Sequence, residues 1–177
     1  MFGGHFYHSK TKKAVALFGR LFNNINVIRQ SSSGTVISQL KVPLSYAPKS
    51  KYLERIRENP NLPVLGTCAG AILLSDPQDE GEKIVDANIS RNAFGNQSNS
   101  FQSMINTSLL SRDFPGVFIR APRFMNLGEK STPVALLGEE VVGVRTNNRV
   151  ALTFHPELSS DYGFHKWLLT EALEVSS

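Results

Sequence analysis

A single cysteine in 177 residues, Cys68, excludes an internal disulfide framework and leaves too few thiols for a cysteine-built zinc site. That scarcity suits a reducing compartment, and any thiol chemistry rests on this one residue. Apolar runs are short as well, Ala69 to Leu74 and Val134 to Leu137 being among the longest, far below the roughly 18 residues that cross a bilayer. Glycine and proline number 13 and 9, near the background, which excludes collagen-like and low-complexity chains. Acidic residues are absent from positions 1–53, which hold eight Lys/Arg. The overall charge of +4 therefore divides into a basic head and an acidic remainder. A basic, acid-free opening with Phe2, Phe6, Phe18 and Phe22 has two readings, a transit peptide or an anion-binding face. Lysine outnumbers arginine there and the segment already has the pattern of domain structure, which argues against the first. No nucleic-acid motif accompanies the charge, which argues against nucleic acid as the anion.

With 41% hydrophobic residues the length suffices for one domain with a sizeable core, taken as residues 1–177. Ala14, Val15, Leu17, Phe18, Leu21 and Phe22 recur at helical spacing, and the β-branched stretch Ile25 to Ile28 follows as a strand. Ser31-Ser32-Ser33-Gly34 reads as a loop, Val36 to Leu40 as the opening of a short helix, and Tyr52, Leu53 and Ile56 as a helix stopped by Asn59-Pro60. Leu62 to Leu65 predicts a buried strand with a small-residue helix, Gly70 to Leu74, behind it. Further strands are expected around Ile84 to Ile89, Val117 to Ile119, Val134 to Leu137, Val141 to Val144 and Val150 to Phe154, and a last helix from Asp161 to Leu173. Helices alternating with apolar strands indicate an α/β domain with a largely parallel sheet flanked by helices.

The chemistry concentrates in two places. Pro63-Val64-Leu65-Gly66-Thr67-Cys68-Ala69-Gly70-Ala71 sets the only cysteine on the turn between strand and helix, flanked by two glycines where larger side chains would clash. That is the logic of a nucleophile elbow. A thiol at a helix start meets the positive end of the helix dipole and free backbone N–H groups, both of which favour the thiolate. The N–H of Ala69 is placed to form half of an oxyanion hole. The plainer reading is a small buried hydrophobe, the usual fate of a lone cysteine. The second place is Val150-Ala151-Leu152-Thr153-Phe154-His155-Pro156-Glu157, a buried strand delivering His155 at its end, where sheet-based active sites lie. Pro156 stiffens the step to Glu157, so that the carboxylate can return to the imidazole and set its tautomer. Alternatively His155 is a satisfied strand-end histidine and Glu157 caps the helix that follows.

Taken together, Gly66-Thr67-Cys68-Ala69-Gly70, Arg91-Asn92-Ala93-Phe94-Gly95-Asn96-Gln97, Val117-Phe118-Ile119-Arg120-Ala121-Pro122 and Phe154-His155-Pro156-Glu157-Leu158 resemble the PdxT/SNO family of triad glutamine amidotransferases, the glutaminase subunits of pyridoxal 5'-phosphate synthase. The resemblance covers about residues 60–170, and residues 1–59 are atypical. It implies a flavodoxin-like fold. It implies Cys68 as the nucleophile on the glutamine side-chain amide, His155 as general base and later acid, and Glu157 as the residue orienting His155. Arg91, Ile119 and Arg120 match positions lining the glutamine site, their plainer alternatives being surface salt bridges for the arginines and core packing for Ile119. The resemblance further implies hydrolysis of L-glutamine to L-glutamate and ammonia through a thioester, in the cytoplasm. No metal and no cofactor is implied. The expected partner is the synthase subunit that receives the ammonia; neither nucleic acid nor a membrane is expected.

The head departs from the family. Gly3-Gly4-His5-Phe6 stands where members have the turn after a hydrophobic first strand, and that first strand is apparently missing. Ser31-Ser32-Ser33-Gly34-Thr35 aligns with the family's Gly-Gly-Glu-Ser-Thr loop without its Gly-Gly-Glu, leaving the Gly34 backbone as the expected second oxyanion donor. Two other functions compete with the glutaminase. A non-catalytic paralogue that docks on and regulates the synthase is favoured by the altered loop and opposed by the retained Cys68, His155 and Glu157. A papain-like peptidase also runs Cys before His, but no tryptophan follows Cys68 and a strand–elbow–helix step is wrong for that fold.

Overall fold

The centre of the molecule is a pair of strands that are buried on both faces. In the computed structural model, which describes residues 12–17, 25–31, 34–40, 49–91 and 100–174, these are β4 (Val64–Thr67) and β11 (Arg149–Leu152). They run parallel, with Val64 opposite Arg149 and Thr67 opposite Leu152. Side chains alternate between two cores, as the period of two in a strand requires. Leu65, Val150 and Leu152 face one core with Phe154, Phe164 and Trp167, the last two on α3 (Gly163–Glu174). Val64 and Ala151 face the other with Leu53 and Ile56 of α1 (Lys49–Glu58) and Ala71 and Leu74 of α2 (Ala69–Ser75). Helices thus cover both faces, the α/β arrangement that the alternating pattern predicted.

The remaining strands are β1 (Lys12–Leu17), β2 (Ile25–Ser31), β3 (Gly34–Leu40), β5 (Ala87–Ser90), β6 (Phe101–Thr107), β7 (Arg112–Phe118), β8 (Arg123–Leu127), β9 (Thr132–Leu137) and β10 (Glu140–Thr146). Nine of the described strands form one sheet in the order β3-β2-β1-β4-β11-β10-β9-β6-β7, and β5 pairs with β8 separately. The sheet is mixed rather than largely parallel. Parallel pairing is confined to β1·β4 and β4·β11, while hairpins make the wings antiparallel. The short turns at Gly138-Glu139 and Asn147-Asn148 explain this, because a two-residue connection can join only antiparallel neighbours.

Several local expectations change. Residues 12–17, expected as part of a helix, form a strand: Val15, Ala16 and Leu17 pair with Val64, Leu65 and Gly66 of β4. A short apolar run supports either period, and pairing to a central strand decides it. The place beside β4 is therefore occupied by β1, where the sequence reading expected a first strand to be missing. Residues 36–40 also form a strand rather than a helix, as Thr35, Val36 and Ile37 are β-branched and pair with β2. The predicted strand from Leu62 begins two residues later, since Pro63 has no N–H to donate. Ile84 and Val85 stay outside β5 because both their N–H groups donate to the Leu74 carbonyl at the end of α2. Strands β6 and β8 were not foreseen; their mixed polar composition gives no apolar run. The Gly3–Phe6 turn, His5, His8, Ser32-Ser33 and residues 92–99 lie outside the described residues. Among those described, no helix is long and apolar enough to cross a membrane.

Candidate active site

Strand β4 ends at Thr67 and α2 begins at Ala69, so Cys68 alone makes the turn. It does so with φ 49° and ψ −103°, a left-handed conformation that costs a residue with a Cβ of order 1–3 kcal/mol. The elbow closes because Gly66 lets strand and helix touch. A Cβ there would meet Leu74 Cδ1 at 2.6 Å and the Gly70 carbonyl oxygen at 2.8 Å. Two backbone bonds fix the position of Cys68: its N–H donates to Leu152 O at 2.8 Å, and its carbonyl accepts from Ile72 N–H at 3.1 Å. The N–H groups of Ala69 and Gly70, in the first turn of α2, precede that first intrahelical bond and have no acceptor within the helix. Cys68 is only partly buried, so its sulfur is reachable, and Sγ lies 3.9 Å from Ile119 O.

The histidine arrives on the neighbouring strand. Beyond β11, Phe154 is buried against Phe114, Phe118 and Phe164, which anchors the chain one residue before His155. The His155 N–H donates to Val117 O at 2.8 Å. Pro156 then opens a single 3-10 turn (Pro156–Leu158) that carries Glu157 back over the ring. Glu157 Oε1 lies 2.8 Å from His155 Nδ1, so the ionised carboxylate accepts the Nδ1 proton and leaves Nε2 for Cys68. His155 is 2% exposed. Burial opposes charge on it, but hydrogen bonds and attraction from Cys68 and Glu157 outweigh that cost and lift its pKa from 6.5 to about 9. These surroundings favour the charged imidazolium.

The structure brings Cys68, His155 and Glu157, named from two separate sequence segments, to one place. The Ile119 carbonyl lies beside the Cys68 sulfur, and Arg120 follows it, exposed and with φ 45°. Arg91 is exposed and sits 3.5 Å from Asp76, at the far end of α2, about 10 Å of helix from the Cys68 end. It makes the surface ion pair that was its plainer alternative. Gly34 is not brought to Cys68. It pairs with Ser31 at the tip of the β2–β3 hairpin, whereas Leu40, at the other end of β3, shares the level of Gly66. Gly34 is consequently three strand spacings across and six residues down, roughly 14 Å and 20 Å. Of the donors expected from sequence, Ala69 alone is at the elbow.

Two contacts escaped the sequence reading. Val117 O, which holds the His155 backbone, is a main-chain group without a side-chain signature. Thr67, fully buried, directs its hydroxyl to Glu157 Oε1 at 3.4 Å, and its only signal was a hydroxyl on the last strand residue before Cys68. The fourth histidine, His165, lies in α3; burial holds its pKa down, against the attraction of Glu157. Among the described residues no group of three or more His, Cys, Asp or Glu could hold a metal ion. A polar cleft of about 650 Å³ bordered by Asn61, Lys130, Arg145, Asn147 and Asn148 opens at the opposite ends of β4 and β11 and is separate from this site.

Known proteins with the same pattern can now be set beside this geometry. The chain is 38% identical over 156 residues to the pyridoxal 5'-phosphate synthase subunit PdxT of Thermococcus gammatolerans, covering 83% of this chain and 76% of that protein. It is 38% identical over 162 residues to the subunit of the same name from Thermococcus kodakarensis, covering 87% and 80%. Among solved structures, a glutamine amidotransferase superposes with a TM-score of 0.61 at 38% identity, over 73% of this chain and 70% of that one. The sequence profile of the SNO glutamine amidotransferases matches residues 28–174, which include the elbow, the histidine strand and all of α3, and the chain belongs to the SNO glutamine amidotransferase family.

Proposed function

We propose that this chain is the glutaminase subunit of a pyridoxal 5'-phosphate synthase, acting as one domain over residues 1–177 in the cytoplasm. The observation that carries the reading is the contiguous Cys68–His155–Glu157 relay on a strained elbow, in a member of an amidotransferase family. The Cys68 thiolate attacks Cδ of the glutamine side-chain amide, and the tetrahedral oxyanion is met by the N–H groups of Ala69 and Gly70. Imidazolium gives its proton to the departing nitrogen, so ammonia leaves and a γ-glutamyl thioester remains. Water then attacks the thioester as neutral His155 takes its proton; glutamate is released and the thiolate–imidazolium pair returns. The net reaction is glutamine plus water to glutamate plus ammonia.

Ile119, whose carbonyl oxygen is 3.9 Å from the Cys68 sulfur, and Arg120, the next residue, are assigned to glutamine binding. Arg91 is assigned with them and must leave Asp76 to serve. Ammonia passes to a synthase subunit; the relatives of this chain are themselves named subunits of pyridoxal 5'-phosphate synthase. The test is glutamate release from glutamine, measured with and without a synthase subunit, for the wild type and Cys68→Ala. Turnover is expected in the complex, abolished by Cys68→Ala in a protein that keeps its near-UV circular dichroism. Alkylation by a glutamine-mimicking electrophile is expected at Cys68 alone. A wild-type complex that forms but releases no glutamate would instead establish a docking paralogue without catalysis.

A further inference from the structure

Glu157 is the least secured member of the relay. Its side chain is 10% exposed, yet only Oε1 has partners among the described residues, and Oε2 is buried with none. A carboxylate held through one oxygen by the ring it orients can swing about that contact. The second donor on Oε1 is the hydroxyl of Thr67, fully buried at the end of β4. Thr67 also pairs with Leu152 on the strand that leads to His155.

We propose that Thr67 is a positioning residue for the glutaminase relay: its hydroxyl donates to Glu157 Oε1 and holds the carboxylate in the plane from which it orients His155. The strand that presents the nucleophile thereby also sets the orienting carboxylate, so the two move together. Thr67 acts through Glu157. This inference rests on the glutaminase reading.

Two effects follow from removing the hydroxyl. The carboxylate is free to rotate, which costs turnover and leaves glutamine affinity alone. Oε1 also loses a donor that shared its charge, so it grips the Nδ1 proton more firmly and the imidazolium persists to higher pH. The experiment compares wild type, Thr67→Val, Thr67→Ser and Thr67→Ala, each also with Glu157→Gln, in the assembled complex. Thr67→Val is expected to lower kcat about 3–10-fold with KM within about twofold, the size of one long hydrogen bond to a charge. Its basic pH limb is expected to move upward and Thr67→Ser to restore both properties. If Thr67→Val does not fold, Thr67→Ala carries the same expectation. In the Glu157→Gln background the loss is expected to shrink, because the charge through which Thr67 acts is gone. Wild-type kcat in Thr67→Val, an unmoved pH limb, failure of Thr67→Ser to restore, or full additivity with Glu157→Gln would each overturn the proposal. An inactive wild-type complex would overturn the glutaminase reading itself, a distinguishable result.

Discussion

Replacing Glu157 by glutamine keeps the shape of the side chain and removes its charge, which isolates what the carboxylate does for His155. The bond to be altered is 2.8 Å long and His155 is 2% exposed, so solvent screens it little. A hydrogen bond to a charged group is worth about 1.5–3 kcal/mol, and one pKa unit is about 1.4 kcal/mol. The His155 pKa of about 9 is therefore expected to fall by roughly one to two units in Glu157→Gln. Because the imidazolium protonates the leaving nitrogen, kcat/KM of the wild type should decline as pH rises through about 9. In the variant that decline is expected at correspondingly lower pH. At neutral pH turnover should also drop about 10–100-fold, while glutamine KM stays within about threefold, since the loss is one of transition-state stabilisation. The assay is glutamate release by the complex from pH 5.5 to about 10.5, with circular dichroism confirming the fold at each end. A basic limb at the same pH in both proteins would refute the reasoning, because the carboxylate would then not be what holds the proton on the ring.

Stability should follow the same proton. With a pKa raised from 6.5 to about 9 on folding, His155 stabilises the native state fully below about 6.5 and loses that contribution as pH rises through about 9. Tm is expected to fall over that window, and to fall less in Glu157→Gln. Asp79 has the opposite sign. Arg57 clamps its carboxylate with two bonds of 2.8 Å and holds its pKa below the usual 3.8. Asp79→Asn should cost about 1–3 kcal/mol in urea unfolding at neutral pH, a difference that closes as pH drops below the carboxylate range. Gly66→Ala, whose new methyl would meet the Gly70 carbonyl at 2.8 Å, should lose about 1–3 kcal/mol of stability and most of its turnover. An unchanged Tm in that variant would mean the elbow yields more readily than its packing indicates.

Cys68, His155 and Glu157, the proposed nucleophile, base and orienting carboxylate, were singled out in the sequence because each is marked by short-range chemistry. A cysteine between Gly66 and Gly70 after an apolar strand has few conformations open to it, and Pro156 commits Glu157 to return toward His155. The helices α1, α2 and α3 were legible too, from apolar spacing and the stops at Asn59-Pro60. Tertiary structure decided the rest. Residues 12–17 became a strand because β4 offered hydrogen bonds along its length, which no local propensity records. The sheet became mixed through hairpins whose pairing depends on register, and that same register carries Gly34 away from Cys68 despite an alignment that put it in the oxyanion loop. Thr67 and the Val117 carbonyl entered the site across 90 and 38 residues of chain, as partners of Glu157 and His155. Sequence proximity selects which groups can do chemistry. The distances between them, and the lifted pKa of His155, exist only once two strands remote in the chain lie side by side and water is gone from between them.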